Sequence, residues 1–107
     1  MEELDLSDNE IIHLFEKIEL KELTFLNLTG NKISDISSLK RINFENLILL
    51  GLSENIIEDI SPLQYINFKN LQLLFLEYNK ISDINILEKI NCKKLEHYIL
   101  LIIKYLI

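Results

Sequence analysis

The sequence has 107 residues, of which 49% are hydrophobic, so it is long enough for one domain with a buried core. Its formal net charge of −6 arises entirely in residues 1–22, because the remainder carries nine acidic and nine basic side chains. The missing basic stripe argues against nucleic acid as a partner. The acidic first segment would suit a partner with a basic patch, or is simply a solvated end.

The two chain ends and the single cysteine indicate where the protein resides in the cell and whether it self-associates. Cys92 is the only cysteine, which excludes an intramolecular disulfide and a multi-cysteine metal site. No charged-then-apolar leader is visible at the N-terminus, and we expect a cytoplasmic protein. The apolar stretch YILLIIKYLI at 98–107 is too short to span a bilayer as a helix. As an open β-edge it would favour self-association.

The chain is built from repeats. The hexamer NKISDI occurs at 31–36 and again at 79–84, and alignment on it gives three 24-residue units. A shorter unit precedes them and a partial unit follows. We therefore predict a single domain with repeat boundaries 1–22, 23–46, 47–70, 71–94 and 95–107.

Each unit begins with a predicted β-strand, since stretches such as FLNLT and LLGLS alternate between two faces. The inward residues are expected to be Leu26 and Leu28, Leu50 and Leu52, Leu74 and Leu76, and Tyr98 and Leu100.

An asparagine follows each predicted strand, at Asn9, Asn31, Asn55 and Asn79. The chain must turn there inside a packed stack, which leaves backbone groups that water cannot reach. An amide side chain has both donors and an acceptor, so a column of asparagines could satisfy those groups in its own and adjacent coils. Isoleucines then return to the core: Ile33, Ile57 and Ile81, with Ile36, Ile60 and Ile84.

A short helical turn is predicted in the return limb, in SSLKRIN, SPLQYIN and NILEKIN. Expected N-caps are Ser37, Ser61 and Asn85, with Pro62 at the first helical position. Expected left-handed helix stops are Asn43, Asn67 and Asn91. The residues expected to plug the core after them are Phe44, Phe68 and Cys92.

With this frame, L-x-x-L-x-L-x-x-N-x-I-x-D-I-x-x-L, the chain resembles leucine-rich-repeat proteins. LLGLSENIIEDISPLQYI is similar to internalin-type repeats, and LDLSDNEIIHLFEKIELKEL resembles repeats of the regulatory subunit of the type-1 protein phosphatase. The resemblance implies an α/β right-handed solenoid with a parallel sheet on the concave face and helical turns on the convex face. Family units usually have 22 residues and capped ends, whereas three units here have 24.

Outward strand residues should form three rows across the concave face, and several are large and apolar, which usually marks an interaction surface. Gly51 would leave a dent that a partner side chain could fill. The alternative is contact with a continuation of the chain or a neighbouring copy. The candidate partner-binding residues are Phe25, Asn27, Leu49, Gly51, Leu73, Phe75, Glu77, His97 and Ile99.

Two other constellations have simpler structural explanations. His13, Asp35, Asp59 and Asp83 share one repeat position and could ligate a metal, but aspartates there commonly accept bonds from turn backbone. Cys92 and His97 could suggest nucleophilic chemistry, yet they are predicted to lie on opposite sides of the coil. We therefore expect no metal, no cofactor and no catalysis.

The sequence thus predicts a non-enzymatic protein-binding module that acts through its concave face. One alternative is a regulatory subunit that docks on an enzyme such as a protein phosphatase. The other is an uncapped fragment of a longer repeat protein.

Overall fold

The computed structural model describes residues 2–5, 7 and 21–90, and its strands form one sheet. The strands are β1 (Glu2–Asp5), β2 (Leu23–Asn27), β3 (Leu49–Gly51) and β4 (Leu73–Phe75). They are parallel and lie in the order β1-β2-β3-β4. Consecutive strands are therefore neighbours, as expected for a solenoid in which each repeat forms one coil.

Three short 3₁₀ helices form the opposite side of the coils, at Ser37–Arg41, Ser61–Tyr65 and Asn85–Lys89. Bonds from residue i+3 to residue i define them, as from the N–H of Leu39 to the carbonyl of Ile36 (3.1 Å). The predicted alternation of a strand and a helical turn is confirmed.

The core lies between the sheet and the helices, and it contains the inward residues that the repeat frame predicts. Phe44 and Phe68 are buried and their rings stack, with centroids 6.2 Å apart, so they act as core plugs in successive coils. Ile81 and Ile84 are only partly buried. The inward pairs of β2 to β4 are buried: Leu26, Leu28, Leu50, Leu52, Leu74 and Leu76.

The asparagine column is confirmed. Asn55 donates from Nδ2 to the carbonyls of Leu52 in its own coil (2.9 Å) and Leu28 in the preceding coil (3.1 Å). Its Oδ1 accepts from the backbone N–H groups of Asn31 (2.9 Å) and Ile33 (3.0 Å). One buried side chain thereby satisfies the turns of two coils and fixes their relative register.

The helix termini differ from the prediction. Ser37, Ser61 and Asn85 are the first helical residues. The N-cap positions are held by the isoleucines before them, whose side chains make no capping hydrogen bond. The N–H of each first helical residue is instead bound by the aspartate two residues before it, which accepts the hydrogen bond at Oδ1. The aspartates are Asp35 (2.8 Å), Asp59 (2.8 Å) and Asp83 (2.9 Å). Their structural role in the turn is confirmed, and the N-cap assignment is wrong by one position.

The predicted left-handed stops at Asn43 and Asn67 are also wrong, because each helix ends on an extended isoleucine. Asn43 instead accepts the N–H of Glu45 at Oδ1 (3.1 Å). Left-handed backbone occurs at the residue before the ladder asparagine in all three described coils. These residues are Gly30 (φ 74°), Glu54 (φ 55°) and Tyr78 (φ 59°).

A second asparagine column was not foreseen. Asn46 donates from Nδ2 to the carbonyl of Lys21 (2.9 Å), and Asn70 donates to that of Glu45 (2.7 Å). Each is the last residue of its repeat unit, and each binds a carbonyl of the preceding coil. The coil of residues 47–70 is therefore joined to the one before it at two corners, through Asn55 and Asn70.

Some predictions fall outside the described residues. They concern Asn9, His13, Asn91, Cys92 and the segment 95–107.

Replacing Asn55 with Asp should lower the free energy of unfolding by about 3 kcal/mol or more, because a buried donor group becomes an acceptor facing two carbonyls. Urea denaturation measures the loss. Asn43→Asp is the matched control, since Asn43 is exposed and uses only its oxygen; it should stay within about 0.5 kcal/mol of wild type. Equal losses in both variants would contradict the ladder's role.

The left-handed residues before the ladder asparagines give a prediction of increased stability. Glu54→Gly should raise the free energy of unfolding by up to about 1 kcal/mol, since only glycine adopts this φ without a steric cost. Gly30→Ala should lower it by about 1 kcal/mol. Glu58→Gly, at an exposed glutamate with ordinary backbone, is the control and should destabilise. If Glu54→Gly and Glu58→Gly both destabilise equally, strain at Glu54 is absent.

Candidate functional site: the concave face of the sheet

Strand pairing places the predicted rows side by side. In the first row Glu3 of β1 pairs with Phe25, Phe25 pairs with Leu49, and Leu49 pairs with Leu73. The second row is Asp5, Asn27, Gly51 and Phe75. The third contains Ser7, Thr29, Ser53 and Glu77, just beyond the strands. The register of the first two rows is therefore as predicted, apart from a shift between Glu2 and Glu3 at the start of β1.

The apolar band comprises Phe25, Leu49, Leu73 and Phe75. Phe75 is exposed (37%), whereas the other three are partly buried. In-register neighbours about 4.8 Å apart cover part of one another, which explains the partial burial. The band is thus a continuous apolar surface, and its most exposed residue is Phe75.

The polar residues of the second row are bound to backbone. Oδ1 of Asp5 accepts the N–H of Ser7 (3.0 Å), and Oδ1 of Asn27 accepts the N–H of Thr29 (3.0 Å). The backbone and hydroxyl of Ser7, together with the Asn27 amide, hold the pKa of Asp5 below its usual value. Asp5 and Asn27 therefore end their strands with the same turn.

Gly51 does not form the predicted dent. It is buried, and a Cβ built on it would lie 2.8 Å from Oδ1 of Asn27 and 3.4 Å from Oγ1 of Thr29. The Asn27 side chain occupies the space that Gly51 leaves open. The glycine is needed for this close approach, and no partner side chain can enter there without displacing Asn27.

The concave face is acidic in its charge. Among the described positions of the three rows, the charged residues are Glu3, Asp5 and Glu77, and none is basic. Glu77 accepts a hydrogen bond at Oε2 from the Ser53 hydroxyl on the neighbouring coil. Glu3 and Asp5 lie on β1, at one edge of the sheet, and Glu77 follows β4, directly beyond Phe75.

The remaining proposed site residues, His97 and Ile99, lie outside the described part of the chain. The structure therefore brings together seven of the nine candidates.

Sequence reasoning missed Tyr78, whose side chain is 79% exposed. It follows Glu77, and its backbone is left-handed (φ 59°). The signal was its position directly before the ladder asparagine, which glycine occupies in the first full unit. Tyr65 is also exposed, but it belongs to the second 3₁₀ helix, where the Lys40 ammonium lies 5.7 Å from its ring.

Within residues 2–5, 7 and 21–90, no three His, Cys, Asp or Glu side chains cluster closely enough to hold a metal ion. No helix in that part of the chain is long and apolar enough to cross a membrane.

A family model described as leucine-rich repeats (two copies) matches residues 1–41, and the same frame continues through the described coils. The match supports the leucine-rich-repeat assignment, and the described fold is that of a leucine-rich-repeat solenoid. No curated protein matches it significantly. Leucine-rich repeats are typically non-catalytic modules for protein–protein interaction, and the fold is one on which different binding sites are built.

Gly51→Ala should lower the free energy of unfolding by about 1–3 kcal/mol, because the new methyl group meets the Asn27 side chain. In an Asn27→Ala background the same substitution should cost clearly less. Urea denaturation of the two single variants and the double variant measures this coupling. An identical cost in both backgrounds would show that Asn27 is not what fills the space.

Proposed function

We propose that this leucine-rich-repeat protein is a non-enzymatic module that captures a protein partner on its concave face. The observation that carries the proposal is the apolar band of Phe25, Leu49, Leu73 and Phe75, which lies on the side of the sheet opposite the core. A contiguous apolar surface of this kind usually marks an interaction site.

The surroundings of the band support the proposal. Asn27 and Asp5 are satisfied by backbone groups, and no buried side-chain nitrogen or oxygen in the described residues lacks a partner. The face is therefore preorganised, and a partner would not have to reorder it, which lowers the entropic cost of binding. The exposed aromatic Phe75 is the type of residue that anchors interfaces.

A narrower version makes the bound protein an enzyme, such as a protein phosphatase, that this chain would regulate. It uses the same face and differs only in the identity of the partner. Copurification of one catalytic subunit, whose activity changes when the chain binds, would support it.

The test is affinity capture with the full chain, followed by reconstitution with the purified partner. Phe75→Ser should weaken binding by more than about tenfold, as for an aromatic anchor residue. Because Phe75 is exposed, the variant should remain about as stable as wild type. Tyr65→Ser, which removes an exposed aromatic from the helical side, is the control and should bind normally. Normal binding by Phe75→Ser would contradict the proposed face.

A further inference from the structure

We propose that the chain has a second protein-binding surface, on the helical side of the coils, which takes an acidic segment of a partner protein. This surface, the basic patch, consists of Lys40, Arg41, Tyr65 and Lys89. It lies across the core from the concave band. The inference goes beyond the proposed function and does not depend on it.

The repeat brings the members of the basic patch together. Arg41, Tyr65 and Lys89 are the last residues of the three 3₁₀ helices. They are 24 residues apart, so each occupies the same position in its coil, and each helix contacts the next. The Lys40 ammonium lies 5.7 Å from the centre of the Tyr65 ring, within the range of cation–π attraction. One aromatic side chain is therefore placed between basic side chains of both neighbouring coils.

The side chains of the basic patch are available to a ligand. All four are exposed, and Tyr65 is 69% exposed. Lys21 and Lys69 both approach Glu45, at 3.8 Å and 3.7 Å. Within the described coils, by contrast, Arg41 and Lys89 form no ion pair. An incoming carboxylate can therefore pair with them without displacing an acid of these coils.

The charge of the basic patch is opposite to that of the protein. The formal net charge is −6, yet the three helices carry the basic residues of the patch against a single acid, Glu88. The aspartates before the helices bind the first helical residues, whereas Arg41, Tyr65 and Lys89 are the last ones. Acids on other faces are largely screened at physiological salt, where the Debye length is about 8 Å. The basic patch therefore complements a negatively charged ligand.

The residue types favour a protein segment over nucleic acid. Tyrosine and arginine are enriched at protein–protein interfaces, and tyrosine supplies a large contact area with few rotatable bonds. Nucleic acid requires a basic stripe that follows its phosphates. The repeat position of Lys40 holds Gln64 and Glu88 in the next two coils, so the positive charge does not extend into such a stripe.

The probe is a short synthetic peptide with glutamates on both sides of a leucine and a phenylalanine. One sibling has lysines in place of the glutamates, and a single-stranded oligonucleotide is the other comparison. Each is titrated into the full chain labelled with nitrogen-15. The glutamate peptide should shift the backbone NMR signals of Arg41, Tyr65 and Lys89, and the effect should weaken as salt is raised.

Three outcomes of this titration would overturn the inference. The first is equal binding of the lysine peptide, and the second is the absence of any shift at millimolar glutamate peptide. The third is tighter binding of the oligonucleotide at the same residues, which would assign the surface to nucleic acid.

Protein variants test the contribution of charge at this position. Arg41→Gln with Lys89→Gln should weaken binding of the glutamate peptide about threefold to tenfold, as expected for two solvent-exposed ion pairs. The matched control is Lys32→Gln with Lys80→Gln, which removes the same charge at exposed positions that are also two coils apart. The control should bind as wild type does. Equal weakening in both double variants would mean that only net charge matters, and unchanged binding by the first would also refute the inference.

Single variants separate this inference from the proposed function. Tyr65→Ser should weaken binding of the glutamate peptide about tenfold, as for an aromatic anchor, and should still capture the partner of the concave face. Phe75→Ser should bind the peptide normally, because Phe75 lies across the core from the basic patch. Loss of peptide binding in Phe75→Ser with normal binding in Tyr65→Ser would place the peptide on the concave face and overturn the inference.

Discussion

The asparagine ladder is the interaction on which the rest of the structure depends. Each coil must reverse direction directly after its strand, where the core leaves no room for water. Asn55 meets the resulting demand by bonding to carbonyls in two coils and accepting two N–H groups from one of them. Because the same side chain serves both coils, they cannot slide relative to each other without leaving buried polar groups unpaired. The in-register strands, and hence the rows on the concave face, follow from this restriction.

The turns around the ladder use side chains in place of a longer helix. Aspartates bind the first N–H of each 3₁₀ helix, and Asn46 and Asn70 bind carbonyls of the preceding coil. In the three coils described around Asn31, Asn55 and Asn79, the residue before the ladder asparagine adopts a left-handed backbone, although only the coil of residues 23–46 has glycine there. The other two coils tolerate the strain because the ladder holds the backbone on both sides of it.

The same regularity gives the concave face its character. Side chains on strands held in register form straight rows, so the apolar residues of successive units accumulate in one band instead of being scattered. The polar residues beside the band are already bonded to backbone, which leaves it surrounded by satisfied groups. Among the described positions of the three rows, charge is confined to Glu3, Asp5 and Glu77. A rigid surface with this arrangement favours a ligand of matching shape and charge over one that must reshape the site.

The sequence by itself determined the repeat, its strand register, the ladder and the structural role of the aspartates. Each of these depends on a pattern that recurs at a fixed spacing, and one coil must solve the same packing problem as the next. Tertiary structure decided what depends on contacts between neighbouring coils. Gly51 shows this, since its open side is filled by an asparagine one strand away. The same holds for the partial burial of Phe25 and for the second asparagine column. Such contacts join residues about one repeat apart, so neither residue type nor local propensity reveals them.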